Sequence, residues 1–173
     1  AAHGHGIVHR DIKPANVFLC DYAGESDFVK VLDFGIAAGP QESGASGLTQ
    51  EGVSLGTPAY MSPEQVLDQA LDGRADLYSV ALLMAEMLTG VAVYQGTAAM
   101  QIALRQIEPA PVPFPPSVIE SPLGSFIQRA AQKDRGHRFS SALEMLEALR
   151  HQMAAVGIAS SSGPMGSTPR PAA

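Results

Sequence analysis

Three short segments of this chain hold side chains that could together handle a phosphate. His9-Arg10-Asp11-Ile12-Lys13-Pro14-Ala15-Asn16 comes first, Asp33-Phe34-Gly35 second, and Gly56-Thr57-Pro58-Ala59-Tyr60-Met61-Ser62-Pro63-Glu64 third. Moving a phosphoryl group asks a protein for positioning, metal ions and charge stabilisation more than for covalent chemistry. Asp11 can accept the proton of an attacking hydroxyl or orient that hydroxyl. Lys13, close by on the same loop, brings a cation to the γ-phosphate. Asn16 offers a neutral oxygen and Asp33 a charged one, a set that suits Mg²⁺, which takes oxygen ligands. Gly35 lets the backbone turn where a side chain would obstruct. Each Asp or Asn alone is also an ordinary turn former. That reading does not account for all of them in this order.

These residues need elements to hold them. Residues 1–10 read as the frayed end of a helix, since Gly4 and Gly6 are poor helix formers. Val17-Phe18-Leu19 and Phe28-Val29-Lys30-Val31-Leu32 are strand-like, and residues 21–27 between them read as the turn of a hairpin. Residues 36–57, with Gly39-Pro40 and Ser43-Gly44-Ala45-Ser46-Gly47, predict a long mobile loop of functional use. Pro63 to Leu71 predicts a short helix opened by Ser62. Ala75 to Thr89 is apolar on nearly every face, which predicts a helix buried all round and stopped by Gly90. Thr97 to Ile107 is amphipathic, Pro109 to Pro122 is too rich in proline to be regular, and Leu123 to Gln132 is again helical. Ser141-Ala142-Leu143-Glu144 has the form of a capping box, and Ala142, Met145, Leu146, Leu149 and Met153 follow at helical spacing. Met84, Met87, Met145 and Met153 read as core. Residues 156–173, rich in Ser, Gly and Pro, read as a disordered tail or linker.

Composition narrows the classes. The 173 residues are 46% apolar and 16% charged, with a net charge of −6. That is globular, and it carries no basic stripe for nucleic acid and no polybasic patch for a membrane. The longest apolar stretch, Val80 to Val93, is interrupted by Glu86 and too short to span a bilayer. Cys20 is the sole cysteine, so there is no disulfide framework, which fits a reducing cytoplasm; anchoring of a longer protein through another region stays open. His3, His5 and His9 alternate as metal ligands can, but His9 reads as a packed motif residue and the other two as incidental.

The three ordered motifs resemble those of eukaryotic-type, or Hanks-type, bacterial Ser/Thr protein kinases, specifically the C-terminal lobe. The resemblance covers residues 1–155 and implies a mainly α fold, a helical bundle with a small β-hairpin at the catalytic edge. It implies ATP and Mg²⁺ as cofactors and a protein with a Ser or Thr acceptor as partner. Asp11 resembles the catalytic base, and Asn16 and Asp33 the magnesium ligands. Lys13 and Thr57 resemble the pair that marks Ser/Thr kinases, and Phe18 takes the position under the adenine ring. Arg10 resembles the arginine that captures a phosphorylated activation loop. Thr49 is the best placed phosphorylation site there, and Glu51 a built-in partial substitute for a second one. Glu64 and Arg138 resemble a buried ion pair, and Asp76 the aspartate that holds the amides of the catalytic loop.

There are departures. Ser62 stands where the family has alanine, and Ala81 and Ala85 where glycine and a larger residue are frequent. These residues also hold no glycine-rich loop, no strand lysine and no partner glutamate. The expectation is therefore a lobe whose N-terminal partner is missing, catalytically inert by itself, with an apolar face around Phe18 and Leu32 left open. Two other readings stand beside the kinase: a non-catalytic binding or scaffold module, and a small-molecule phosphotransferase. Lys13 and the Gly56 to Glu64 segment, which form a peptide-acceptor platform in the family, argue against the last.

Overall fold

The computed structural model describes residues 2–22, 24–33, 58–96 and 98–157. Phe34, Gly35, Thr49, Glu51, Gly56 and Thr57, the predicted loop and the predicted tail from residue 158 lie outside them. After a turn of 3-10 helix at Ala2–His5 and another at Pro14–Asn16 come two strands, β1 (Val17–Tyr22) and β2 (Glu25–Val31). They pair antiparallel, from Val17 opposite Val31 to Tyr22 opposite Glu25. The strands are longer than the sequence suggests, so the turn shrinks from 21–27 to the two residues between them. The extra rungs continue past a register irregularity between Cys20 and Tyr22, where the Tyr22 ring packs at a tilt on Phe28, centroids 5.1 Å apart. Phe18, 48% exposed, and Leu32, 42% exposed, leave an apolar face of this hairpin open.

Beyond the 3-10 turn Pro58–Tyr60 the chain is helical: α1 (Pro63–Val66), α2 (Arg74–Thr89), α3 (Ala99–Ile107), α4 (Pro116–Ile119), α5 (Gly124–Ala130) and α6 (Ala142–Ala155). The predicted helix from Pro63 to Leu71 is thus a single turn; Asp68, at φ 51°, leaves right-handed helical geometry and ends it. The proline-rich stretch is not wholly irregular, because Pro116 sits in the first turn of α4, where its missing N–H has no partner to lose.

Helix α2 is the centre. It packs on α4, α5 and the Pro58–Tyr60 turn, while α5 carries α6. Its first half is buried all round: Ala75, Asp76, Leu77, Tyr78 and Ser79 in succession, then Ala81, Leu82 and Ala85. The second half is not, contrary to the sequence expectation, since Met87 is 75% exposed and Leu88 also faces out. Gly90 ends the helix at φ 74°, the left-handed conformation that glycine adopts without penalty. Ala81 and Ala85, both fully buried, let neighbouring elements come close. Between α4 and α5, a Cβ on Gly124 would lie 2.0 Å from the Ile119 carbonyl oxygen, so no other residue fits there. At the start of α6, Ser141 Oγ accepts from the Glu144 N–H at 3.1 Å. The return bond of the capping box goes one residue earlier, from the Ser140 N–H to Glu144 at 2.7 Å. Among the described residues no helix is long and apolar enough to cross a membrane.

Candidate active site

The loop from His9 to Asn16 is fixed from below by one carboxylate. Asp76 lies in the first turn of α2, where the helix's free N–H groups favour a negative charge. Its Oδ2 accepts the His9 N–H at 2.8 Å and its Oδ1 the Arg10 N–H at 2.9 Å. This holds Arg10 at φ 69°, a left-handed conformation that a non-glycine residue keeps only when its surroundings impose it. His3 Nε2 lies 2.7 Å from the same Asp76 Oδ2. His3 is therefore not incidental, as its sequence position suggested. Gly73 admits it: a Cβ there would sit 2.6 Å from the His3 ring.

The loop is fixed from above by the hairpin. His9 is buried, and its Nε2 meets the Leu32 carbonyl at 2.9 Å while its Nδ1 accepts from the Asp11 N–H at 3.3 Å. That pattern puts the ring proton on Nε2. The Leu32 N–H donates to the Asn16 carbonyl at 2.9 Å. So the residue before Asp33 is tied at both its N–H and its carbonyl to the loop that carries Asp11. Gln65 of α1 closes a third side, donating to the Arg10 carbonyl at 2.7 Å.

Within this frame the predicted residues cluster. Lys13 Nζ lies 2.8 Å from Asp11 Oδ2. The Asn16 amide nitrogen donates to the same Oδ2 at 2.9 Å and to the Asp11 main-chain carbonyl at 2.8 Å. Both side-chain bonds fall on Oδ2, and neither on Oδ1. With its nitrogen so engaged, buried Asn16 keeps its amide oxygen for another ligand. Asp33 is exposed, at φ 56°. The structure thus brings together Asp11, Lys13, Asn16 and Asp76, and places Asp33 next to the tie between Leu32 and Asn16. Phe18 lies on the adjoining strand with an open face. Thr57, Thr49 and Glu51 fall outside the described residues.

The Glu64–Arg138 pair is formed and buried. Arg138 Nη1 and Nη2 reach the two Glu64 carboxylate oxygens at 2.6 and 2.9 Å, with Glu64 4% and Arg138 3% exposed. The remaining guanidinium N–H groups go to the carbonyls of Gln132, Arg74 and Lys133, and the Tyr78 ring lies 4.8 Å away. All five donors of the guanidinium are therefore used.

Other buried or paired groups were not evident in the sequence. The Tyr60 hydroxyl donates to Glu86, and burial together with that carboxylate raises its pKa above the ordinary tyrosine value. The Lys133 ammonium donates to the Tyr94 hydroxyl and the carbonyls of Arg105 and Gln106, and burial pulls its pKa down to about 8. Asp72 is held down to about 2 by its hydrogen bonds to Arg74. No periodicity marks the Tyr60 and Lys133 contacts, which join residues far apart in the chain.

A model of the protein kinase domain matches residues 1–153. Serine/threonine-protein kinase Pkn1 of Myxococcus xanthus is 41% identical over 159 residues, which cover 89% of this chain and 22% of that protein. Serine/threonine-protein kinase PknL of Mycobacterium tuberculosis is 39% identical over 160 residues, 89% of this chain and 38% of its own length. Serine/threonine-protein kinase PknB of Mycolicibacterium smegmatis is 36% identical over 148 residues, 83% of this chain and 23% of its own. The chain spans between 22% and 38% of the length of these curated relatives.

Proposed function

The chain belongs to the protein kinase domain family, and from that premise we propose that the whole protein transfers the γ-phosphate of ATP to serine or threonine hydroxyls of other proteins. Residues 1–155 act as the C-terminal lobe, working with an N-terminal lobe that supplies the glycine-rich loop and its lysine. The observation that carries this reading is the convergence of Lys13 and Asn16 on one Asp11 oxygen, on a loop whose amides Asp76 holds.

In this reading Asp11 receives the acceptor hydroxyl, orients it and accepts its proton. Asp11 Oδ2 is occupied by Lys13 and Asn16, so Oδ1 is the oxygen left to do so. Lys13 lies beside that carboxylate, where its ammonium can also meet the transferring phosphate. Asn16 and Asp33 would hold Mg²⁺, and their oxygens fit a hard cation. When bound, that metal offsets the negative charge of the phosphates. Phe18 on β1 offers an apolar surface suited to the adenine. Gly56 to Glu64, with Thr57, forms the platform for the protein acceptor, and the Glu64–Arg138 pair anchors its far end. Arg10 answers a phosphate on Thr49, with Glu51 supplying part of that charge beforehand. The single cysteine suits a cytoplasmic setting.

The test is incubation of the full-length protein with radiolabelled ATP, Mg²⁺ and dephosphorylated casein, followed by phosphoamino-acid analysis. Label on serine or threonine is expected. No label, or label on tyrosine alone, would contradict the proposal.

A further inference from the structure

Three consecutive backbone carbonyls, those of Pro58, Ala59 and Tyr60, are each held by a buried side chain from a neighbouring helix. Gln106 of α3 donates its amide N–H groups to the Pro58 carbonyl at 3.0 Å and the Ala59 carbonyl at 3.1 Å. Ser79 of α2 donates to the Tyr60 carbonyl at 2.7 Å. The Gln106 amide oxygen in turn accepts the Tyr78 hydroxyl at 2.7 Å. Gln106 is 0% exposed, so both hydrogens and the oxygen of a fully buried amide are in use.

A buried amide is costly unless it is fully paired. The neighbours of Gln106 on α3 face a hydrophobic core, where a leucine would pack without that risk. What the amide does, and a leucine cannot, is turn two successive carbonyls inward and keep them there. The end of α3 is itself fixed, because the Lys133 ammonium donates to the Gln106 carbonyl at 2.7 Å. None of these four bonds reaches the Asp11 loop, which is held by Asp76, the hairpin and Gln65.

We propose that Gln106 is a positioning residue for the protein acceptor: by holding the Pro58 and Ala59 carbonyls inward, it sets the path along which residues 58–61 present themselves to the incoming polypeptide. This rests on the reading of that segment as the acceptor platform. It separates acceptor binding, which depends on α3, from nucleotide binding, which depends on the loop and hairpin.

The experiment uses the full-length protein as wild type, Gln106→Leu and Gln106→Glu, with Asp11→Asn as control. Initial rates are measured against ATP and dephosphorylated casein, with the melting midpoint and amide hydrogen exchange of residues 59–61 alongside. Gln106→Leu is expected to raise the KM for casein ~10- to 100-fold and leave the KM for ATP unchanged. Gln106→Glu sets a carboxylate against two carbonyls, and only its protonated form can donate to one of them. Its casein KM should therefore improve from about pH 8 to about pH 6, an improvement the wild type does not show. Exchange at residues 59–61 should rise in both variants.

An unchanged casein KM would overturn the proposal. So would a parallel change in both KM values that tracks the melting midpoint, or unchanged exchange at 59–61. If the wild type shows Asp11-dependent transfer while the Gln106 variants behave like it, this inference alone falls. If the wild type transfers nothing, the acceptor role falls with the kinase reading, and the exchange data still show whether Gln106 holds the segment.

Discussion

Cutting the buried pair between Glu64 and Arg138 should cost more than any surface change in this chain, and the two partners should cost different amounts. Glu64→Leu leaves the guanidinium in place with three carbonyl partners, but with two N–H groups and a full charge unanswered at a site 3% exposed. Breaking a buried pair in this way costs ~3–5 kcal/mol. Arg138→Met removes the charge and fills much of the space. It strands the Glu64 carboxylate, 4% exposed, and takes the donor from the carbonyls of Gln132, Arg74 and Lys133. Each carbonyl that finds no water adds ~1–3 kcal/mol, so Arg138→Met should be the worse of the two. Combining Arg138→Met with Glu64→Leu removes the stranded charge and leaves only the carbonyls. The double variant should therefore be more stable than Arg138→Met alone, and far from the sum of the singles. Equilibrium urea unfolding of the four proteins supplies the cycle. Additive effects, each below ~1 kcal/mol, would mean that the buried charges do not depend on one another.

Asp76→Ala should lower stability by ~1–3 kcal/mol by orphaning the buried His9 N–H and the partly buried Arg10 N–H, and should lower the transfer rate of the full-length protein further than Asp76→Asn, which keeps one acceptor oxygen. Gly73→Ala should push the His3 ring off Asp76 and cost ~1–3 kcal/mol, read from the urea midpoint. Lys133 titrates near 8 when folded against 10.5 unfolded, so between those values the unfolded chain binds more protons and stability should rise with pH. Lys133→Met should flatten that rise in the urea midpoint. Above the ordinary tyrosine value of 10.0, burial makes Tyr78 and Tyr94 hold their protons longer in the folded chain, so stability should turn downward there.

What the sequence made legible was mostly local. The hairpin, the stop at Gly90 and the His9 to Asn16 loop are written in adjacent residues whose turn, strand or capping chemistry acts over a few positions. The Glu64–Arg138 pair, 74 residues apart, was legible only through resemblance to a family. His3 on Asp76 and Gln106 on the Pro58 and Ala59 carbonyls were missed because nothing near either residue hints at the partner. The signal for Gln106 was slight: a polar side chain on an amphipathic helix, whose face the pattern alone could not fix. The sequence predicts too long an α1 because Leu67 and Leu71 continue an apolar pattern past the point where Asp68 turns the backbone. Met87 and Leu88 read as core because α2 is apolar throughout, whereas burial depends on which neighbours reach its second half.

The central claim is that Asp11 handles the acceptor proton within a kinase site. The measurement that tests it most directly is the steady-state rate of Asp11→Asn in the full-length protein, with ATP, Mg²⁺ and dephosphorylated casein. Asparagine nearly matches aspartate in shape, so Lys13 and Asn16 keep a neighbour there while the proton acceptor is lost. A positioned general base is worth ~10²- to 10⁴-fold, so kcat should fall by that much while the KM for ATP stays close to the wild-type value. A variant that keeps the wild-type kcat would contradict the account.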